Sequence, residues 1–347
     1  MKRKSWLSVS IAVALTGCIF FLTPAYAAAA PTVIKLAHVD PADVWQSKKG
    51  AMTRAFKDIV EAETGGAIKV DLFPASQLGS EREILEGTQL GTIQMCAVSG
   101  VIGGQFKPAM VLDIPYLFSS PAVAWKVLDG PFGKELTAGI LEKTGMYNLA
   151  YGETGFRNFT NFVRPVKGPA DLKGMKIRVM ETPLYMSLVK SLGASPTPIA
   201  WAETYTALQQ KVVDGLELPV SVVIQVKMYE VLKYMCLDAH TYSADFLLIN
   251  NKFYQGLSKE HRKIIKDAAV VASTCGRAIQ QLNSAMGIAT LKEKGMTIYA
   301  PNEKERAEFK KLAQGPIVEW MKTQVEQKWI DKVMAAVKQA EAELAVK

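Results

Sequence analysis

The segment from Ser258 to Lys294 constrains the fold more than any other part of the chain. It contains no proline and only two glycines, Gly276 and Gly287. A helix-start pattern, Ser258-Lys259-Glu260, opens it and Gly295 follows it. As one helix it would run roughly 55 Å at ~1.5 Å per residue, well beyond the ~30 Å width of a small domain. Either it crosses two lobes or it breaks near Gly276. Length points to two lobes as well, because a chain of 347 residues exceeds what one hydrophobic core usually supports.

The amino terminus reads as an export signal. Met1-Lys2-Arg3-Lys4 is basic, an apolar run is densest from Val9 to Leu22, and Ala25-Tyr26-Ala27 is a small-x-small site. Cleavage is expected after Ala27, with Ala30 as the alternative, so residues 1–27 form a signal peptide. Leu15-Thr16-Gly17-Cys18 has the look of a lipoprotein site, but an Ala-x-Ala site lies beyond it. The run is short and interrupted for a membrane anchor, which needs ~20 apolar residues. Cleavage removes three positive charges and no negative ones, so the formal net charge falls from +8 to +5. Lys and Arg are dispersed, which argues against nucleic acid as a partner. The remaining cysteines, Cys96, Cys236 and Cys275, are odd in number and lack Cys-x-x-Cys spacing, so one disulfide or three buried thiols are both open.

Along the chain, strands and helices alternate. Val33 to Ala37 reads as a strand, 43–63 as a helix, Ile68 to Phe73 as a strand, 80–90 as a helix stopped by Gly91, and Ile93 to Val98 as a buried strand. This β-α-β-α-β order indicates an α/β lobe with a parallel sheet. A second lobe is expected from about residue 155. It has strands at Met175–Val179, Gly215–Leu218 and Phe246–Ile249, helices at 183–192, 201–212 and 220–230, and a last helix over 316–346.

Signs of catalysis are missing. His38, His240 and His261 stand far apart with no metal-ligand spacing, and there is no Gly-x-Ser-x-Gly elbow, P-loop or dinucleotide fingerprint. We expect no catalytic residues, no metal and no cofactor. Ligands of open α/β sheets gather at the carboxyl ends of strands. That rule singles out His38, after the first strand, and Arg178, near the end of Met175–Val179. Ile177 and Val179 point the other way, and an arginine there needs an anionic partner. Glu217 is the internal candidate for that partner. Arg157, in the alternating Gly155-Phe156-Arg157-Asn158-Phe159, is similarly placed.

Five segments carry a family resemblance: Phe73-Pro74-Ala75-Ser76-Gln77-Leu78-Gly79, Leu112 to Phe118, Asp171-Leu172-Lys173-Gly174-Met175-Lys176-Ile177-Arg178-Val179, Gly193 to Pro198, and Gln209 to Glu217. In this order they resemble the DctP-type solute-binding proteins of tripartite ATP-independent periplasmic (TRAP) transporters, over roughly 33–330. The resemblance implies an α/β, two-lobed periplasmic binding protein fold with a long helix spanning both lobes. The expected N-terminal lobe is 28–154 plus 244–283, and the C-terminal lobe 155–243 plus 284–347. It implies that Arg178 forms a salt bridge with a ligand carboxylate and that Arg157 assists. Trp45, Ser99 and Tyr242 fall where such proteins place pocket walls, and Glu217 would stay near the arginines.

One departure bears on the ligand. Many relatives carry Asn before the proline of this motif, whereas here Asp214-Gly215-Leu216-Glu217 leads into Leu218-Pro219. Leu218 cannot donate a hydrogen bond. If it faces the pocket with Phe156, Met180 and Trp45, a less hydroxylated ligand (a 2-oxo, aliphatic or aromatic acid) is expected. The function expected is a monomeric periplasmic protein that captures a small organic acid and delivers it to integral-membrane TRAP subunits. A secreted enzyme acting on organic acids and a binding protein of an ATP-driven importer are the alternatives.

Overall fold

The computed structural model describes residues 30–345, so the expected signal peptide at 1–27 lies outside the described residues. The chain opens as β1 (Thr32–Ala37), α1 (Lys48–Glu63), β2 (Ile68–Phe73), α2 (Glu81–Leu90) and β3 (Met95–Val98). The three strands pair in parallel in the order β2-β1-β3, as their alternation with helices predicts. The expected helix start at residue 43 is corrected to Lys48. The Asp43 carboxylate accepts the N–H groups of Trp45 and Gln46 in a local turn, and Ser47 caps α1 by accepting from Gly50.

Two 3-10 turns (Gly100–Gly104 and Lys107–Asp113) follow, then α3 (Pro121–Asp129) and α4 (Pro131–Thr144). The chain then enters the 16-residue strand β4 (Met146–Asn161). Its first part pairs antiparallel with β9 (Thr241–Asn250) and its last four residues with β7 (Gly215–Leu218). The expected lobe boundary at 155 therefore falls inside one continuous strand.

Beyond β4 come β5 (Lys176–Val179), α5 (Pro183–Ser191), β6 (Ser195–Pro198), α6 (Thr204–Gln209), β7, α7 (Val220–Gln225) and β8 (Tyr234–Cys236). After β9 lie α8 (Asn251–Gly256), α9 (Lys259–Glu293), β10 (Thr297–Tyr299), α10 (Glu303–Lys322) and α11 (Gln327–Ala345). The strands form one sheet of ten, ordered β2-β1-β3-β9-β4-β7-β5-β6, with β8 beside β4 and β10 beside β8.

Three helices are corrected. The helix expected at 201–212 is a 3-10 turn at Trp201–Glu203 followed by α6, and the one at 220–230 stops at Gln225 before a second 3-10 turn. Lys211 and Lys227, in left-handed backbone at φ 58° and 54°, close these short helices. The last helix is two, α10 and α11, separated at 323–326, where Thr323 turns its hydroxyl back onto the Trp320 carbonyl at 2.7 Å.

Helix α9 is unbroken over 35 residues. Gly276 does not end it; a Cβ there would sit 3.0 Å from the Lys48 carbonyl oxygen and 3.1 Å from Met52 Cβ. The glycine lets α9 press against α1. Farther along, α9 packs on α7 at Gly287. Its first part closes a core of Phe56, Leu36, Leu149 and Ala269, and its end joins one built on Leu216, Val223 and Leu291. Each such fully buried side chain larger than alanine contributes about 1.5–3 kcal/mol. Among the described residues, no helix is long and apolar enough to cross a membrane.

Candidate functional site

The carboxyl ends of β1, β3, β5 and β7 face a cavity of about 50 Å³. Its position follows the strand-end rule for open α/β sheets. Its lining includes polar residues, Asp40, Lys48, Lys49, Glu81, Ser99 and Thr154, mostly from the β1, β3, α1 and α2 region, and apolar ones, Val39 beside Asp40 and Met180, Trp201, Leu218 and Val222 from the region of β5 to α7. Arg157 and Arg178 also line it.

The two arginines differ in how they are held. Arg157 is 3% exposed and forms a bidentate pair with Glu217, its Nη2 at 2.8 Å from Oε1 and from the Glu217 carbonyl. Its guanidinium lies 5.1 Å from the centre of the Tyr185 ring. Burial opposes its charge, but Glu217 outweighs burial and holds its pKa above the ordinary range. Glu217 also faces His240 Nε2 at 3.6 Å, and His240 Nδ1 meets Asp238 at 2.8 Å. Burial works against a charged His240, yet Asp238 and Glu217 raise its pKa to about 9. Arg157 and His240 in turn depress Glu217 against the cost of burial.

Arg178 is likewise 3% exposed, but its hydrogen bonds go to one neutral group, the Ile199 carbonyl, at 2.9 Å from Nε and 2.6 Å from Nη2. Its guanidinium lies over Trp201 at 5.6 Å. Among the described residues it has no carboxylate within salt-bridge distance. Burial pushes its pKa down to about 10, helped by the like charge of Arg157 and opposed by Glu217. It stays cationic at neutral pH, and a desolvated cation without an anion is costly.

The polar part of the lining is internally paired. Lys48 Nζ is 2.6 Å from Asp40, and Lys49 Nζ is 2.7 Å from Glu81 and 3.5 Å from Asp245. Both lysines open α1, where the helix dipole disfavours cations, so these carboxylates are what permit their burial. Glu81 also accepts the backbone N–H and hydroxyl of Ser99 at 2.9 and 3.0 Å. Thr154 sits at a bulge in β4 beside Gly155, whose φ of 100° suits glycine. Gln280 of α9 donates to the Thr154 carbonyl at 2.6 Å and accepts from Ser221 at 2.9 Å.

Of the residues singled out from sequence, the structure brings Arg178, Arg157, Leu218 and Ser99 to the cavity, together with Met180. Five others do not line it. Glu217 is wholly buried behind Arg157, and it is Arg157, not Arg178, that it pairs. Trp45 is 72% exposed because its turn directs it to solvent; its backbone N–H is held by Asp43 and its carbonyl by Asn283. Phe156 alternates with Arg157 along β4 and packs edge-on against Tyr242, which is enclosed between Phe156 and Phe118. His38 turns into the sheet–helix layer beside Thr53, and burial lowers its pKa to about 4. Asp40, Lys48, Lys49, Glu81, Thr154 and Trp201 were not anticipated. The strand-end rule that selected His38 could have reached Asp40, two residues on. Lysines in the first turn of a helix are a local anomaly of the kind functional sites carry.

The three cysteines are unpaired, with Cys96 and Cys236 buried. Among the described residues, no three or more His, Cys, Asp or Glu side chains are grouped to hold a metal ion.

A family model, bacterial extracellular solute-binding protein, family 7 (DctP), matches residues 37–324. The 2,3-diketo-L-gulonate-binding periplasmic protein YiaO of Escherichia coli is 37% identical over 71% of this chain and 75% of its own. The C4-dicarboxylate-binding periplasmic protein DctP of Rhodobacter capsulatus is 33% identical over 91% of this chain and 93% of its own. Among solved structures, the sugar acid binding protein DctPAm of Advenella mimigardefordensis, in complex with galactonate, superposes with a TM-score of 0.85. It is 31% identical, over 89% of this chain and 99% of that one. These proteins bind solutes and are not enzymes. With the same fold and a family match over most of its length, the chain belongs to the DctP family of TRAP solute-binding proteins.

Proposed function

We propose that the protein captures a small organic carboxylate in the cavity between the strand ends and delivers it to the membrane subunits of a TRAP transporter in the periplasm. One observation carries this reading: Arg178 is a buried, cavity-lining guanidinium that, among the described residues, donates to one carbonyl oxygen and has no carboxylate within salt-bridge distance. A carboxylate supplies the missing charge and can take two parallel N–H donors at once, which sets orientation as well as affinity. Arg157, already neutralised by Glu217, contributes a preset donor array more than net charge.

In this reading the lobes are 28–154 plus 244–283 and 155–243 plus 284–347, hinged on β4, β9 and α9. Closure removes water and strengthens the carboxylate pair. The basic, apolar, small-residue start of the chain and the family's extracellular description support export. Leu218, Met180, Trp201 and Val222 favour a ligand with sparse hydroxylation, 2-oxo or aliphatic, on the carbons that lie along them.

A thermal-shift screen against carboxylates tests the reading. Ligand binding to the folded state alone adds ~2.7 kcal/mol at a hundredfold excess over Kd. Stabilisation by one or more acids is expected. Response to neutral sugars with none to carboxylates would overturn it.

A further inference from the structure

The cavity's charged groups divide between elements, the arginines on β4 and β5 and the lysines and acids on α1, α2 and the end of β1, and this bears on the part of the ligand that lies away from the arginines. On the arginine side, two guanidinium groups stand against one cavity-adjacent carboxylate, Glu217, which is bonded to Arg157 and not to Arg178. On the lysine side the ratio is reversed. Lys48 and Lys49 face three carboxylates, Asp40, Glu81 and Asp245. Asp40 and Glu81 themselves line the cavity. Both lysines are almost fully buried and already engaged, so neither is free to receive an anion without giving up a carboxylate partner.

We infer that the site selects acids with a single carboxylate and a neutral hydrogen-bond donor, such as a hydroxyl, away from the arginines, and that it discriminates against dicarboxylates. The inference rests on the carboxylate reading above and adds polarity to it. The acceptors for such a donor are in place. Oδ2 of Asp40 takes Lys48, while Oδ1 accepts no hydrogen bond from the described residues. Among the described residues, Glu81 Oε2 accepts only the Ser99 hydroxyl. An ionised carboxylate offers about four lone-pair sites, so both groups retain capacity. A second ligand carboxylate brought to this side would lie beside two acids of its own sign, in a region of weak dielectric screening. A hydroxyl group pays no such penalty and can donate to either acid. Since family relatives include both a C4-dicarboxylate-binding protein and a sugar-acid-binding protein, family membership alone does not decide the matter.

Calorimetry on the wild-type mature protein tests this with three matched pairs: 4-hydroxybutanoate against succinate, D-erythronate against meso-tartrate, and D-galactonate against galactarate. In every pair that binds, the monocarboxylate is expected to be at least tenfold tighter. Equal or tighter binding of the dicarboxylate overturns the inference and leaves the carboxylate reading standing. Binding by none of the six overturns the inference, and the thermal-shift screen decides the carboxylate reading separately. Asp40→Asn, which removes one negative charge, is expected to move the dicarboxylate-to-monocarboxylate affinity ratio about tenfold towards the dicarboxylate. An unchanged ratio in folded Asp40→Asn protein would refute the role given to that charge. The wild-type comparison does not depend on that variant folding.

Discussion

Replacing Arg178 with methionine removes its charge while keeping most of its volume, and two opposed effects on stability follow. The substitution deletes both donors to the Ile199 carbonyl. Leaving a buried acceptor unsatisfied costs about 1–3 kcal/mol. It also relieves the burial of an unpaired cation. The depression of the Arg178 pKa to about 10 measures that burden. At ~1.4 kcal/mol per pKa unit it amounts to roughly 3 kcal/mol, fully present at neutral pH and relieved only as pH rises through 10. The two terms nearly cancel, so the unliganded variant should unfold in urea within ~2 kcal/mol of the wild type. Binding has no such compensation. Truncating one partner of a desolvated ion pair costs ~2–5 kcal/mol, or roughly 30-fold to several-thousand-fold in Kd. Calorimetry with the tightest acid from the thermal-shift screen, beside urea unfolding of the free protein, separates the two. Binding within threefold of wild type would refute the functional role of Arg178. A loss of stability above ~3 kcal/mol would show that its role is structural.

Other perturbations probe the surrounding network. Glu217→Gln strips Arg157 of its counterion and leaves an uncompensated buried charge, so unfolding free energy should fall by ~3–5 kcal/mol in urea titrations. His240, with a folded pKa raised to about 9, contributes stability that is complete below its unfolded pKa near 6.5 and lost as pH rises through 9. Urea midpoints measured from pH 6 to 10 should therefore decline over that window, and His240→Gln should remove this part of the decline. Gly155→Ala places a side chain in left-handed backbone, with its Cβ 2.6 Å from Gln280 Nε2. A loss of at least ~1 kcal/mol is expected, again by urea unfolding.

Much of the architecture was legible in the chain because it depends on local pattern. The two-residue alternation of Ile68–Phe73, the apolar run ending at Val98 and the cap signals around α2 each specify an element within about ten residues. Errors came where short-range pattern and side-chain chemistry compete. At 43–47 the Asp43 carboxylate held the backbone in a turn that hydrophobic periodicity could not reveal. Gly276 read equally well as a break or a contact, and only the approach of Lys48 and Met52 to α9 decides for contact.

For the site, the residues of this chain alone placed Arg178 and Arg157 at strand positions able to face a ligand, and motif order named the family. They could not say which arginine was already neutralised. That depends on Glu217, 60 positions from Arg157, and on Ile199, which takes the donors of Arg178. Nor could they pair Lys49 with Glu81 and Asp245, acids that reach it from another helix and a distant strand. Strand order, a long-range property, brings those charges together. The sequence thus determined the fold class, the two candidate arginines and the presence of Leu218. Only the tertiary structure decided that Arg178 is the cation left without an anion, because charge neutralisation depends on distance in space and not along the chain.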